Sequence, residues 1–191
     1  MIITRAGIED LPRLMRFRTD TAAWLATLGS DQWSTSFPGD HIARSIEAGE
    51  VFVVRETPTA DLAATITLDT AADPLLWTPE ERKVGSLYVH KLTIDRQHAG
   101  VNLGARLLNW AGDQAFHRGA KWLRLDAWTS NVRLHQYYVE QGFTHIRTVL
   151  DPEVGGSGWV AQRPAALADH GFVGLADTSS LSVDRLPVSG A

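Results

Sequence analysis

The chain has no cysteine. That single absence removes disulfides, thiolate nucleophiles, thiolate metal sites and any acyl-cysteine intermediate. Long apolar runs are also missing. None reaches the ~18 residues that a membrane-spanning helix needs. There is no internal repeat and no low-complexity block. Excess charge is small: the net is −4 over 191 residues, with a pI near 5.9. Such a chain does not coat nucleic acid through bulk charge, although a local basic groove stays open. Met1 to Arg13 carries acidic residues and Pro12 rather than an apolar signal core. With no cysteine besides, the expected compartment is the cytoplasm.

What is present is a core-forming composition. Apolar residues make up 44%, too many for global disorder at this net charge. The length suits one domain, or one domain with a tail. Seven tryptophans indicate a large core, an aromatic pocket, or both.

Periodicity gives the element order. Ile2 to Thr4 reads as a strand. A helix starts at Asp10 and Pro12, carries Leu11, Leu14, Met15, Ala22 and Leu25 at helical spacing, and closes at Gly29. After a loop, a short helix capped by Asp40 presents Ile42, Ala43 and Ile46. Val51–Val54 and Leu62–Leu68 then form an antiparallel pair around Thr57-Pro58. The segment from Asp73 to Lys83 is a loop or short helix. Leu87–Ile94 is a central strand, Leu103–Phe116 a helix, Trp122–Trp128 a strand and Val132–Gln141 a helix stopped at Gly142. Phe143–Leu150 and Trp159–Gln162 end the pattern as strands around the Gly155–Gly158 turn. The class is α/β, with a mixed sheet and about four helices. Residues 1–163 are expected to form the domain. Residues 164–191 are expected to be an irregular extension, too short for a core of its own.

Two segments carry chemistry. In the first, Ala99-Gly100-Val101-Asn102-Leu103-Gly104-Ala105 joins a strand to a helix N-terminus. Free amides and the positive helix end favour an anion there. Glycine allows close backbone approach, and Asn102 tolerates positive φ. Read alone, the segment is equally an ordinary strand-to-helix connection. In the second, Asn131, Leu134 and Tyr138 share one helical face ahead of Gly142-Phe143. Asn131 suits a helix cap, and Tyr138 suits a core aromatic, as well as a site.

Taken together, the two segments resemble the GNAT superfamily of acyl-CoA-dependent N-acyltransferases over roughly residues 2–163, most strongly from Tyr88 to Phe143. The family's turn is Arg/Gln-x-x-Gly-x-Gly/Ala. Here Ala99 replaces the first residue, Asn102 replaces the middle glycine, and Gly104 matches. The resemblance implies a mostly antiparallel sheet with a V-shaped splay between Leu87–Ile94 and Trp122–Trp128. It implies acetyl-CoA as co-substrate. The pantetheine arm would pair with the backbone of Leu92, Thr93 and Ile94, and the pyrophosphate would sit on the amides of the turn from Ala99 to Ala105. Asn131 would face the pantetheine. Tyr138 would be the general acid, with Tyr137 as the adjacent alternative. The activity implied is direct acetyl transfer to a primary amine of a small molecule.

Chemistry assigns the remaining candidates. An ammonium has no lone pair, so a proton acceptor or a water path is required. His90 suits that work near neutrality, or else it is a satisfied strand histidine. By two-residue alternation it shares a face with Tyr88, Leu92 and Ile94. Asp126 and Arg124 share a face of the next strand, as part of a substrate cleft or as an internal ion pair. Gln32 and Trp33 lie where the resemblance places acceptor recognition, and Asp73 to Trp77 would form the opposite wall. The six other histidines lack metal-ligand spacing, so no metal is expected. Two alternatives stay open: another acyl donor, borne on tRNA or a carrier, or a non-catalytic CoA-binding module. A tRNA donor needs a basic track, for which Lys91, Arg96, Arg106, Arg118 and Lys121 are candidates that the net charge does not support. Homodimers are common in the family, and the sequence shows no seam that decides the matter.

Overall fold

The computed structural model describes residues 1–34, 38–151, 153 and 156–174. The tail beyond 174 and part of the Gly155–Gly158 turn lie outside the described residues. Seven strands form one sheet: β1 (Ile2–Arg5), β2 (Val51–Arg55), β3 (Leu62–Asp69), β4 (Ser86–Ile94), β5 (Trp122–Ala127), β6 (Thr144–Thr148) and β7 (Trp159–Pro164). Their spatial order is β1-β2-β3-β4-β5-β7-β6, and β4–β5 is the one parallel pair. The helices are α1 (Leu11–Thr27), α2 (Gly39–Glu47), α3 (Pro79–Arg82), α4 (Leu103–His117) and α5 (Val132–Glu140). Among the described residues, the short α3 brings the α-helices to five. Its capping box, with Thr78 and Glu81 bonded reciprocally, fixes one turn within the Asp73–Lys83 segment. Helix α2 starts two residues earlier than its sequence suggests. Pro38 occupies the cap position and Asp40 falls in the first turn, where its charge still complements the helix end.

The sheet separates two apolar layers. One face packs on α4 through Ile66, Leu68, Leu87, Leu107, Leu108, Leu123 and Leu125. The other packs on α1 and α2 through Val51, Val53, Leu14, Phe17, Ile42 and Ile46. Arg124 is buried, but not in an ion pair with Asp126. Its guanidinium bonds Gln162, the Glu81 carbonyl and the Tyr88 hydroxyl, and lies 4.5 Å from the Trp77 ring centre. This third cluster buries Trp77 almost completely, so Trp77 is not a wall of the cleft, although the charge of Asp73 reaches the cleft residue Asp126.

Past β7 the chain returns to the core. Val173 bridges Ile2 in parallel, and the Arg106 guanidinium donates to the carbonyls of His170 (2.9 Å) and Gly171 (2.7 Å). Among the described residues, no helix is long and apolar enough to cross a membrane.

Candidate active site

The site begins where two strands stop pairing. β4 and β5 run in register from Ser86/Trp122 to Val89/Leu125. Beyond that point β4 continues to Ile94 and stays paired to β3 alone. The unpaired side of β4 opens onto a cleft of about 720 Å³. That volume suits a small-molecule site.

A bulge in β4 organises the floor. Thr65 pairs with Thr93 and Thr67 with His90, so Lys91 and Leu92 together face only Ile66. Lys91 takes φ 51°, a left-handed conformation uncommon for a side-chain-bearing residue. The extra residue inverts the alternation. His90 therefore shares the face of Tyr88, as expected, but not that of Leu92 and Ile94, which pack toward α4. Simple two-residue counting fails there because it cannot see a bulge set by the partner strand.

His90 lies between two carboxylates. Its Nε2 is 3.4 Å from Asp69 and its Nδ1 is 3.7 Å from Asp126. Burial alone would discharge the ring, but the bond to Asp69 and the charges of Asp69 and Asp126 outweigh it, and the pKa is raised. Burial also raises the pKa of Asp126.

Both Tyr137 and Tyr138 line the cleft. Burial pushes the Tyr137 hydroxyl up to about 12 and that of Tyr138 further. Tyr138 packs edge-on to Phe143 (5.7 Å) and nearly parallel to Trp159 (6.4 Å).

The α1–α2 loop clasps the start of α5. The Asn131 amide donates to Gln32 Oε1 at 2.8 Å, while Asn131 Oδ1 accepts from the Leu134 amide at 3.0 Å. Asp31 accepts from the Trp128 indole at 2.7 Å. Asn131 is thus a helix cap and a cleft residue at once. Gln32, Trp33, Asp126 and Asn131 all line the cleft, as do Leu92, Thr93 and Ile94.

At the mouth stands the turn before α4. Ala99 lines the cleft, Gly100, Val101 and Asn102 are exposed, and Leu103 and Ala105 point into the core. Asn102 adopts φ 58° as the helix cap, and Gly100 φ 84°. A Cβ on Gly104 would fall 2.5 Å from the Tyr137 hydroxyl, so this position admits only glycine without a shift. The first i→i−4 bond is Arg106 N–H to Asn102, which leaves the amides of Leu103 to Ala105 without helical partners.

The acetyltransferase (GNAT) family model matches residues 18–143, from α1 through the end of α5, spanning both the turn and the tyrosines. The chain belongs to the GNAT acetyltransferase family. An uncharacterized N-acetyltransferase of Bacillus subtilis, YesJ, is 35% identical over 144 residues, covering 72% of this chain and 78% of that protein. A GNAT acetyltransferase of Listeria monocytogenes superposes with TM-score 0.71 at 26% identity, over 85% of this chain and 94% of that one. The same fold occurs in the N-acetylglutamate synthase of Neisseria gonorrhoeae, solved with coenzyme A and N-acetyl-glutamate. There the TM-score is 0.62 at 16% identity, over 86% of this chain and 35% of the synthase. The mixed, mostly antiparallel sheet is therefore the GNAT fold.

Several cleft residues of this GNAT chain carry no motif. Arg18, Thr21, Leu25 and Leu28 recur at i, i+3, i+7 and i+10 on α1 and line one wall. That spacing is visible in the sequence, but Arg18 and Thr21 read as a solvated edge until the helix is docked. Trp24, beside them, also lines the cleft and carries the Arg96 guanidinium 4.6 Å from its ring centre. Arg133 and Trp128 complete the rim.

Proposed function

We propose that the protein transfers an acetyl group from acetyl-CoA to a primary amine of a small molecule by direct attack. The observation that carries this reading is the edge of β4 past Val89, unpaired with β5, on a cleft that Tyr138 also lines. An extended pantetheine arm can add to such an edge as a further strand, at Leu92 to Ile94. The turn fits a pyrophosphate despite Ala99, because its donors are backbone amides and the left-handed Gly100 and Asn102 shape it. Family membership and the CoA-bound synthase of the same fold support the donor.

Each step then has a group for it. The amine nitrogen bonds to the thioester carbon, and the carbonyl oxygen gains charge. A backbone N–H near Leu92, at the bulge of β4, would receive that charge. The carbon–sulfur bond breaks, and the thiolate takes the Tyr138 proton. Burial keeps that hydroxyl protonated at any working pH. The ammonium proton leaves toward the His90–Asp69–Asp126 cluster. Because the carboxylates hold a proton on His90, the cluster accepts one only above the ordinary imidazole range.

Calorimetric titration with acetyl-CoA and CoA, followed by an amine screen for thiol release, tests the reading. Binding of acetyl-CoA with amine-dependent thiol release is expected. Neither binding nor release would remove it.

A further inference from the structure

The charges that line the cleft are unequal. Among the described lining residues, Asp126 is the one carboxylate, against Arg18, Lys91, Arg96 and Arg133. Arg96 directly precedes the turn before α4, and Arg133 lies in the first turn of α5, the two elements that would hold CoA. Arg18 and Lys91 lie on neither. Together with Trp33 and Thr93 they also line a smaller cavity that reaches under α1 and α2 to Thr65 and Thr67. The Arg18 guanidinium lies 5.1 Å from the Trp33 ring centre, which fixes it on that wall.

Keeping two cations there is costly. Burial pulls both Arg18 and Lys91 below their ordinary pKa values, and Arg18 pulls Lys91 further. Lys91 also feels Asp69, Asp126 and Glu50, but of these only Asp126 lines the cleft. The Lys91 backbone is held left-handed as well. A polycationic acceptor would meet this wall as like charge. An anionic group on the acceptor would offset the burial of both side chains.

We propose that the acceptor is a single amine bearing its own anionic group, of the amino-acid class, with the anion at Arg18 and Lys91 and the amine at Asp126 and His90. The proposal rests on the acetyltransferase reading above and names the substrate class of that same site. The apolar side chains of Leu25 and Leu28 then receive the acceptor's side chain.

The test compares matched acceptors on the full chain. Acetyl-CoA binding is first established by calorimetry. Failure at that step removes the acetyltransferase reading itself. With binding in hand, kcat/KM is measured for the common amino acids, for the decarboxylated counterpart of each one used, for O-phosphoethanolamine against ethanolamine, and for spermidine. The anionic member of a pair is expected to lead by roughly tenfold or more, the worth of one charge-assisted hydrogen bond. A lead among the amino acids identifies a carboxylate, and a lead for O-phosphoethanolamine a phosphate. In Arg18→Gln and Lys91→Gln that ratio falls by about tenfold, with the loss in KM. Spermidine or the decarboxylated amines leading, or no anionic amine being turned over, overturns the proposal. So does a ratio that both variants leave intact. The comparison of wild-type acceptor pairs needs no variant to fold.

Discussion

Tyr137 and Tyr138 are adjacent in sequence yet have different surroundings. The Tyr137 hydroxyl abuts Gly104 at the start of α4, while Tyr138 is buried in the stack with Phe143 and Trp159. Replacing Tyr138 with Phe removes one oxygen and keeps that stack. Its kcat is expected to fall by about 10²-fold, the usual size of a lost general acid, while acetyl-CoA affinity stays within about threefold. Tyr137→Phe should lose less than about tenfold. Full turnover by Tyr138→Phe would reassign the acid. His90 supplies a pH prediction. Its folded pKa is raised above the ordinary ~6.5. The pairing therefore stabilises the fold fully below about pH 6.5, and this contribution disappears as pH rises through the folded value. Activity should run the other way, increasing with pH through that same raised value as the cluster becomes able to accept a proton. In His90→Gln, an acid limb of kcat/KM that stays where it was would show that another group sets it.

At the level of elements, the turn meets α5 at Gly104 and the Tyr137 hydroxyl. An alanine at 104 gains up to ~1 kcal/mol of helix propensity. Its Cβ, however, would sit 2.5 Å from the Tyr137 hydroxyl, an overpacking that costs about 1–3 kcal/mol. Gly104→Ala alone should therefore destabilise and weaken acetyl-CoA binding. Placed on Tyr137→Phe, the same change meets its nearest ring atom at 3.5 Å and should become neutral or stabilising. Urea denaturation of the four proteins measures the coupling, expected near 1 kcal/mol or above. Simple additivity would mean that the contact does not restrain the turn. Several elements were legible from the chain alone. α1, α4, α5 and the strands β2 to β5 begin and end within a residue or two of their periodic patterns. The β4 bulge was not, because it arises from the register that β3 imposes.

For the whole molecule, the C-terminal segment raises the question of where the folded unit ends. We propose that the folded unit extends past 163 to at least 174, since residues 165–174 run back along β1 and α4. A chain ending at 163 loses both Arg106 bonds, the Val173 bridge and the Phe172 ring, which stands 4.5 Å from the Arg106 guanidinium. It should be less stable than a chain ending at 174 by about 1–3 kcal/mol, or several degrees in Tm. Equal melting temperatures would restore the shorter boundary.

The sequence by itself determined the α/β order, the family, the left-handed Asn102 and the Asn131–Tyr138 face, because period, caps and turn residues act over a few neighbouring positions. The tertiary structure alone decided what those residues meet. Asn131 finds Gln32 99 residues away, His90 settles between carboxylates of β3 and β5, and Trp77 leaves the cleft to cover Arg124. Arg18 and Lys91 become one wall only when α1 docks on the bulged strand. Contacts between distant segments depend on register and packing. Neither is written in the local pattern of any one element.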